Sequence, residues 1–204
     1  MKILTLALAL FMSGFAEDVK AQSATVVTYQ GKVLINKQMI SSGLVPLGAE
    51  IDTSAENSRL IIRTPDGRIL RFSEGVAKYK NPSLVEVIKG KFFAFIKNVP
   101  KERKDFKVRT RTAVMGVRGT KFLVLEEEKQ SYLCVCEGVV DATKHDQPDN
   151  AVSVSAGFDL SIQNDNKPLG APTKAPKMMW QIALEGFKEM GVPVTVPVEA
   201  PEAK

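Results

Sequence analysis

Catalysis, metal binding and disulfide chemistry draw on few residue types, and this chain supplies them sparingly. His145 is the only histidine, in the polar stretch TKHDQPDN, where a solvated turn residue is a simpler account than a general base. No glycine-rich phosphate loop opens a helix, no serine stands in a strand-to-helix elbow, and no histidines pair at metal spacing. Glu126, Glu127 and Glu128 run together, as solvated turns at strand ends do. Glycosidase acids need only converge in space, so a carboxylate hydrolase stands as a lesser alternative to a non-enzymatic chain. No cofactor or metal is implied.

Cys134 and Cys136 are the two cysteines. Two apart on a strand, they share a face ~6.6 Å apart along the chain, whereas a disulfide wants Cβ atoms ~4 Å apart. The spacing predicts buried free thiols, with a strained bridge or a metal site with His145 as rival readings. If they face inward, Tyr132 shares their face and Leu133 and Val135 take the other.

Charge is concentrated in one segment. Nine basic residues (Lys97, Lys101, Arg103, Lys104, Lys107, Arg109, Arg111, Arg118, Lys121) face two acids (Glu102, Asp105), a local net of +7 in a chain of net charge +5. Lys107, Arg109 and Arg111 alternate with Phe106, Val108 and Thr110, placing three cations on one strand face. Two readings stand: a solvated or guarded edge strand, or a patch of Lys101, Arg103, Lys104, Lys107, Arg109 and Arg111 for an anionic partner. Nucleic acid is excluded as a partner class by the lack of interleaved stacking aromatics and by the export signal described below.

The elements that would position these residues are short strands. Turn signals recur every ~8–12 residues from residue 24 to 162, and no helical period appears before residue 170, so the fold is all-β, a compact roll or solenoid-like stack. Pro65, Asp66 and Gly67 mark a hairpin, and Gln30 and Gly31 a second one between Ala24–Tyr29 and Lys32–Ile35. Gly90 and Gly138 interrupt β runs and mark bends. In TRTAVMGVRGTKFLV, Gly116 and Gly119 predict a tight turn between two strands, with Arg118 bonding across it to strand carbonyls.

The ends differ from the body. Lys2, an apolar run from Ile3 to Ala16, and Val19 and Ala21 before Gln22 form the pattern of a signal peptide over residues 1–21. Export to the periplasm or beyond follows, without a stable membrane span after cleavage. A β domain over 22–165 leads to a Pro-rich linker (166–176), an amphipathic helix (177–191) and an extended or disordered tail (192–204). Met179, Trp180, Ala183, Leu184, Phe187 and Met190 share one helix face, either as a cap over an open end of the β body or as a docking element.

The stretch Val108 to Phe122 resembles the signature of FecR-type periplasmic domains, V-x-T-P-x-A-x-x-G-V-R-G-T-x-F, in Val108, Thr110, Ala113, Gly116, Val117, Arg118, Gly119, Thr120 and Phe122. LGAEIDT (47–53), DGRI (66–69), CEGVVDA (136–142, with Glu137 and Gly138) and SAGF (155–158) are similar to the family's flanking elements, over roughly Thr25 to Ile162. Arg111 stands where the family usually has proline. The resemblance implies an exported all-β module that binds a protein or cell-envelope polymer, with a part in signalling; known members signal through a cytoplasmic segment and a membrane helix, and neither is expected from this sequence.

Overall fold

Alternating apolar residues and frequent glycine produce fourteen strands and the helix Lys177–Glu189 among the residues that the computed structural model describes, 22–97 and 106–194. The strands are β1 (Ala24–Gln30), β2 (Leu34–Ile35), β3 (Gln38–Met39), β4 (Leu44–Val45), β5 (Ala49–Asp52), β6 (Arg59–Arg63), β7 (Ile69–Asn81) and β8 (Leu84–Phe95). They continue as β9 (Phe106–Arg109), β10 (Ala113–Glu126), β11 (Gln130–Lys144), β12 (Gln147–Ser155), β13 (Phe158–Gln163) and β14 (Thr173–Lys174), and helix α1 is Lys177–Glu189. The main path through the sheet is β14-β13-β11-β10-β9-β8-β7-β5-β2-β3, antiparallel except where β8 runs parallel to β9.

Four long strands switch inward-facing parity halfway along. The main core takes Leu70 and Phe72 but then Ala77 and Tyr79 from β7, and Val85 and Val87 but then Phe92 and Ala94 from β8. It takes Met115 and Val117 but then Phe122 and Val124 from β10, and Leu133 and Val135 but then Val140 and Ala142 from β11. A strand has period two, so an odd step requires an extra residue, and register shifts fall at those places. Glycines face each other there in two pairs. A Cβ on Gly90 (φ +96°) would stand 2.7 Å from Gly75 Cα, and one on Gly138 (φ +83°) 2.7 Å from the Gly119 carbonyl oxygen. At these two corners the sheet bends and rolls around one core, where Phe72, Phe92 and Phe122 stack with centroids 5.3 and 6.2 Å apart.

Three expectations change. The GVRGT stretch is not a turn between strands: it lies inside the 14-residue β10, and of its two glycines only Gly119 has positive φ. Gly31 makes no hairpin. It backs onto Ser58, whose Oγ accepts from Lys32 N at 2.8 Å, so the chain crosses over the loop before β6; β1 then pairs with β4 and β6, and β2 with β3 and β5. Finally, α1 covers no open end. It lies on the outer face of the sheet, where Met179, Trp180, Ala183 and Phe187 pack against Ile61, Phe93, Leu123, Cys134 and Cys136 in a second core, while Leu184 stays half-buried.

The helix ends as its sequence dictates. Gly191 (φ +68°) donates to Lys188 O at 3.0 Å and Val192 to Phe187 O at 3.0 Å, the paired bonds of a glycine C-cap, with both apolar partners buried. No helix among the described residues is long and apolar enough to cross a membrane. The signal-peptide segment 1–21 and the tail from residue 195 lie outside the described residues.

Candidate functional site

Bending at the corners gives the sheet two outer faces, and α1 covers only one. On the other, side chains between the corners and the strand ends meet solvent in cross-strand rows. One row reads Glu50, Lys78, Glu86, Arg109, Val114, Thr143; the next reads Leu84, Lys107, Gly116, Asp141, Ser153. Lys107, Arg109, Asp141 and Ser153 are exposed, and Val139, beside Asp141 on β11, is 45% exposed. Ser153 Oγ donates to Asp141 Oδ1 at 2.5 Å.

Gly116 is the unusual member of this face. Its φ is not positive, and an added Cβ would meet nothing closer than Asp141 O at 3.9 Å. Neither backbone conformation nor packing requires glycine there. What the missing side chain provides is a flat window between the Lys107 ammonium and the Asp141 carboxylate, where another backbone can approach closely.

The basic segment is less uniformly cationic than its sequence suggests. In its row Arg109 neighbours Glu86, and Lys78 lies 3.9 Å from Glu50, so charge alternates across the strands. Arg111 turns away to donate to Glu127 O at 3.2 Å and to face Glu126 at 3.7 Å. Lys121 is held by Glu137 at 2.7 Å and donates to Pro193 O at 2.6 Å. Lys101, Arg103 and Lys104, and the side chain of Arg118 with the bond expected of it, lie outside the described residues.

The remaining motif residues divide between core and corners. Val117 and Phe122 fill the main core, Thr120 is buried, and Gly119 and Gly138 form one corner. Thr110 belongs to a buried polar knot: its Oγ1 and that of Thr112 lie 2.7 and 2.5 Å from Ser131 Oγ, which donates to the Glu126 carboxylate. The Glu126 side chain is fully buried, and burial pushes its carboxyl above the ordinary range against the pull of Ser131 and Arg111. Serine, threonine and carboxylate together evoke hydrolysis, but this carboxyl is shut from water and the chain's only histidine, His145, spends Nε2 on Thr110 O at 2.9 Å. The knot ties the start of β10 to the β10–β11 turn. Sequence reasoning missed it because Glu126 looked like part of a solvated acidic run; Arg111 at the usual proline position was the available signal.

Both cysteines are buried free thiols facing α1, with Tyr132 partly buried on their side and Leu133 and Val135 in the main core. A hydrogen bond that the Cys136 thiol donates to Cys134, followed by burial, pushes the Cys136 thiol far up. Among the described residues, no group of three or more potential ligands could hold a metal ion.

The fold is that of an all-β module with one sheet face covered by α1 and the other open. Residues 50–141 match the family model described as FecR protein, in agreement with the motif resemblance. The match runs from β5 into β11, shorter than the stretch over which the resemblance was read. The chain is similar to a crystal structure of a protein provisionally assigned as an anti-sigma factor from Parabacteroides distasonis, at 23% identity and a TM-score of 0.54, over 67% of this chain and 65% of that one. The chain thus spans just under two thirds of that relative's length, and the likeness is one of fold. A second structure of the same description and organism shares 19% identity over 69% of this chain and 62% of its own, with a TM-score of 0.41. No curated protein matches the chain.

Proposed function

We propose that this protein is an exported, non-catalytic regulatory module whose FecR domain binds a protein partner at the cell envelope, through the open sheet face around Gly116. The window at Gly116 carries the reading, because a motif glycine with no structural need for glycine is explained by close approach of another chain. The family of the domain, and the provisional anti-sigma assignment of the similar Parabacteroides distasonis protein, support a signalling role. Export is supported by the leader pattern and by the position of β1, which begins at Ala24, just past the expected cleavage before Gln22, so that cleavage removes no strand of the body.

The test is photo-crosslinking of the mature protein in its native envelope, with the parent beside Gly116→Arg and Lys107→Glu. Capture of one partner by the parent, its loss in Gly116→Arg at unchanged melting temperature, and weakening in Lys107→Glu support the reading. Undiminished capture by Gly116→Arg sinks it. Salt-sensitive pelleting with peptidoglycan or anionic vesicles, with no protein captured, would instead favour the envelope-polymer alternative.

A further inference from the structure

The face beneath α1 is complete without the helix. Its apolar floor (Ile61, Phe93, Leu123, Cys134, Cys136) and its two arginines, Arg59 and Arg71, all come from β6, β7, β8, β10 and β11, within the residues that match the FecR domain. The main core is a separate cluster on the other side of the sheet.

The helix is capped at its C-terminal end by Gly191 and carries Lys188 in its last turn, but its start and interior are weak by their own sequence. Pro176 at the N-cap gives no side-chain bond, the first turn carries no acid, Gly186 sits in the interior, and Glu189 stands in the last turn, where the helix dipole disfavours an anion. The last two weaknesses are matched by the sheet. A Cβ on Gly186 would lie 2.2 Å from Phe93 Cε1, so only glycine lets the helix descend onto that ring. The Glu189 carboxylate bridges two guanidiniums, Arg59 at 3.1 Å and Arg71 through Nε at 2.8 Å and Nη2 at 2.6 Å. Arg71 is fixed for this by stacking 4.6 Å over Phe93 and donating to Ser73 Oγ at 3.0 Å. Beside this end a cavity of about 430 Å³, lined by Ser54, Ser58, Arg59, Lys91, Ile182 and Glu185, leaves room to enter between helix and sheet. These residues of α1 serve the acceptor face at the expense of helix stability.

We propose that this face is a helix-acceptor site, and that α1 fills it as a displaceable internal stand-in for an amphipathic helix of a partner protein with glycine at closest approach and a carboxylate near its C-terminal end. A second copy of this chain brings only the same weak helix and must compete with one tethered in place, whose effective concentration is on the order of millimolar. A partner helix with a proper N-cap keeps the same contacts and loses less on folding. This surface is distinct from the open face, so loss of binding at Gly116 leaves it untouched.

The experiment uses the mature chain, the variants Gly186→Leu and Glu189→Lys, and a fluorescent peptide of residues 175–194. Labelling of Cys134 and Cys136 reports helix release, since both thiols lie under α1. In Gly186→Leu, with the sheet circular dichroism intact, labelling is expected to rise at least ~100-fold, and in Glu189→Lys ~10-fold. The peptide should bind Gly186→Leu at least ~10-fold more tightly than the parent and restore thiol protection. A peptide carrying the same glycine-to-leucine change should not bind. Unchanged labelling in both variants overturns the proposal, as does exposed thiol without peptide binding. Loss of sheet structure in Gly186→Leu also overturns it, because the helix would then be part of the body. A parent that sediments as a dimer with thiols protected overturns the choice of a partner helix in favour of a second copy.

Discussion

Gly138 and Gly116 are both motif glycines on neighbouring strands, yet alanine should affect them in opposite ways. At Gly138 the backbone is left-handed (φ +83°), costing an L-residue ~1–2 kcal/mol. The new Cβ would also stand 2.6 Å from Thr120 Cγ2 and 2.7 Å from Gly119 O. The threonine methyl can shift, but the carbonyl belongs to the facing bulge and moves only if the corner opens, adding ~1–3 kcal/mol of overpacking. A total of about 3 kcal/mol lowers the melting temperature of a chain this size by ~6–12 °C. Gly116→Ala meets no such obstacle and should stay within ~0.5 kcal/mol of the parent. Side-by-side thermal melts of the purified variants decide it. Parent-like melting of Gly138→Ala would refute the corner argument, and a Gly116→Ala melt as low as that of Gly138→Ala would refute the open window.

Other outcomes are expected from the same geometry. Burial raises the Glu126 carboxyl, so the folded state holds that proton more tightly; its stabilising effect is present below the ordinary carboxylate range and is lost as pH rises through the raised pKa. Glu126→Gln lacks this loss, and its stability relative to the parent in denaturant titrations should therefore grow from acid to neutral pH; a constant difference would count against it. Cys134 and Cys136 should resist thiol reagents in the native protein, both react in denaturant, and appear unlinked in non-reducing peptide maps. Mass spectrometry of protein from its native envelope should find Gln22 as the first residue, and retained Met1 would contradict export with cleavage.

The fold class, the Pro65–Gly67 hairpin, the bends at Gly90 and Gly138 and the shared face of the cysteines were legible because each depends on local rules: turn chemistry, glycine in a β run, period two. Gly75 was not flagged, since its need for glycine arises from Gly90 across the sheet. Gly116 was misjudged for the reverse reason: its spacing from Gly119 looks like a turn, but the twelve strand pairs between β10 and β11 carry the strand through. The Arg59–Glu189–Arg71 clamp joins residues far apart in sequence, and the Glu126 knot brings Thr110 and Thr112 onto Ser131 from the other end of β10, contacts that only the bent sheet makes.

The two glycine corners also bear on how the chain reaches its fold. Each closes within a single hairpin, β7–β8 or β10–β11, whose strands are joined by short connections. The sharpest geometry in the molecule is therefore assembled from near neighbours, at low loop-closure cost. The pairings of β8 with β9 and β10 span longer stretches, including residues 98–105, and bring two already bent hairpins together. Folding speed should then depend on this docking step, so that changes along the β8–β10 seam slow folding while changes within α1 act mainly on unfolding.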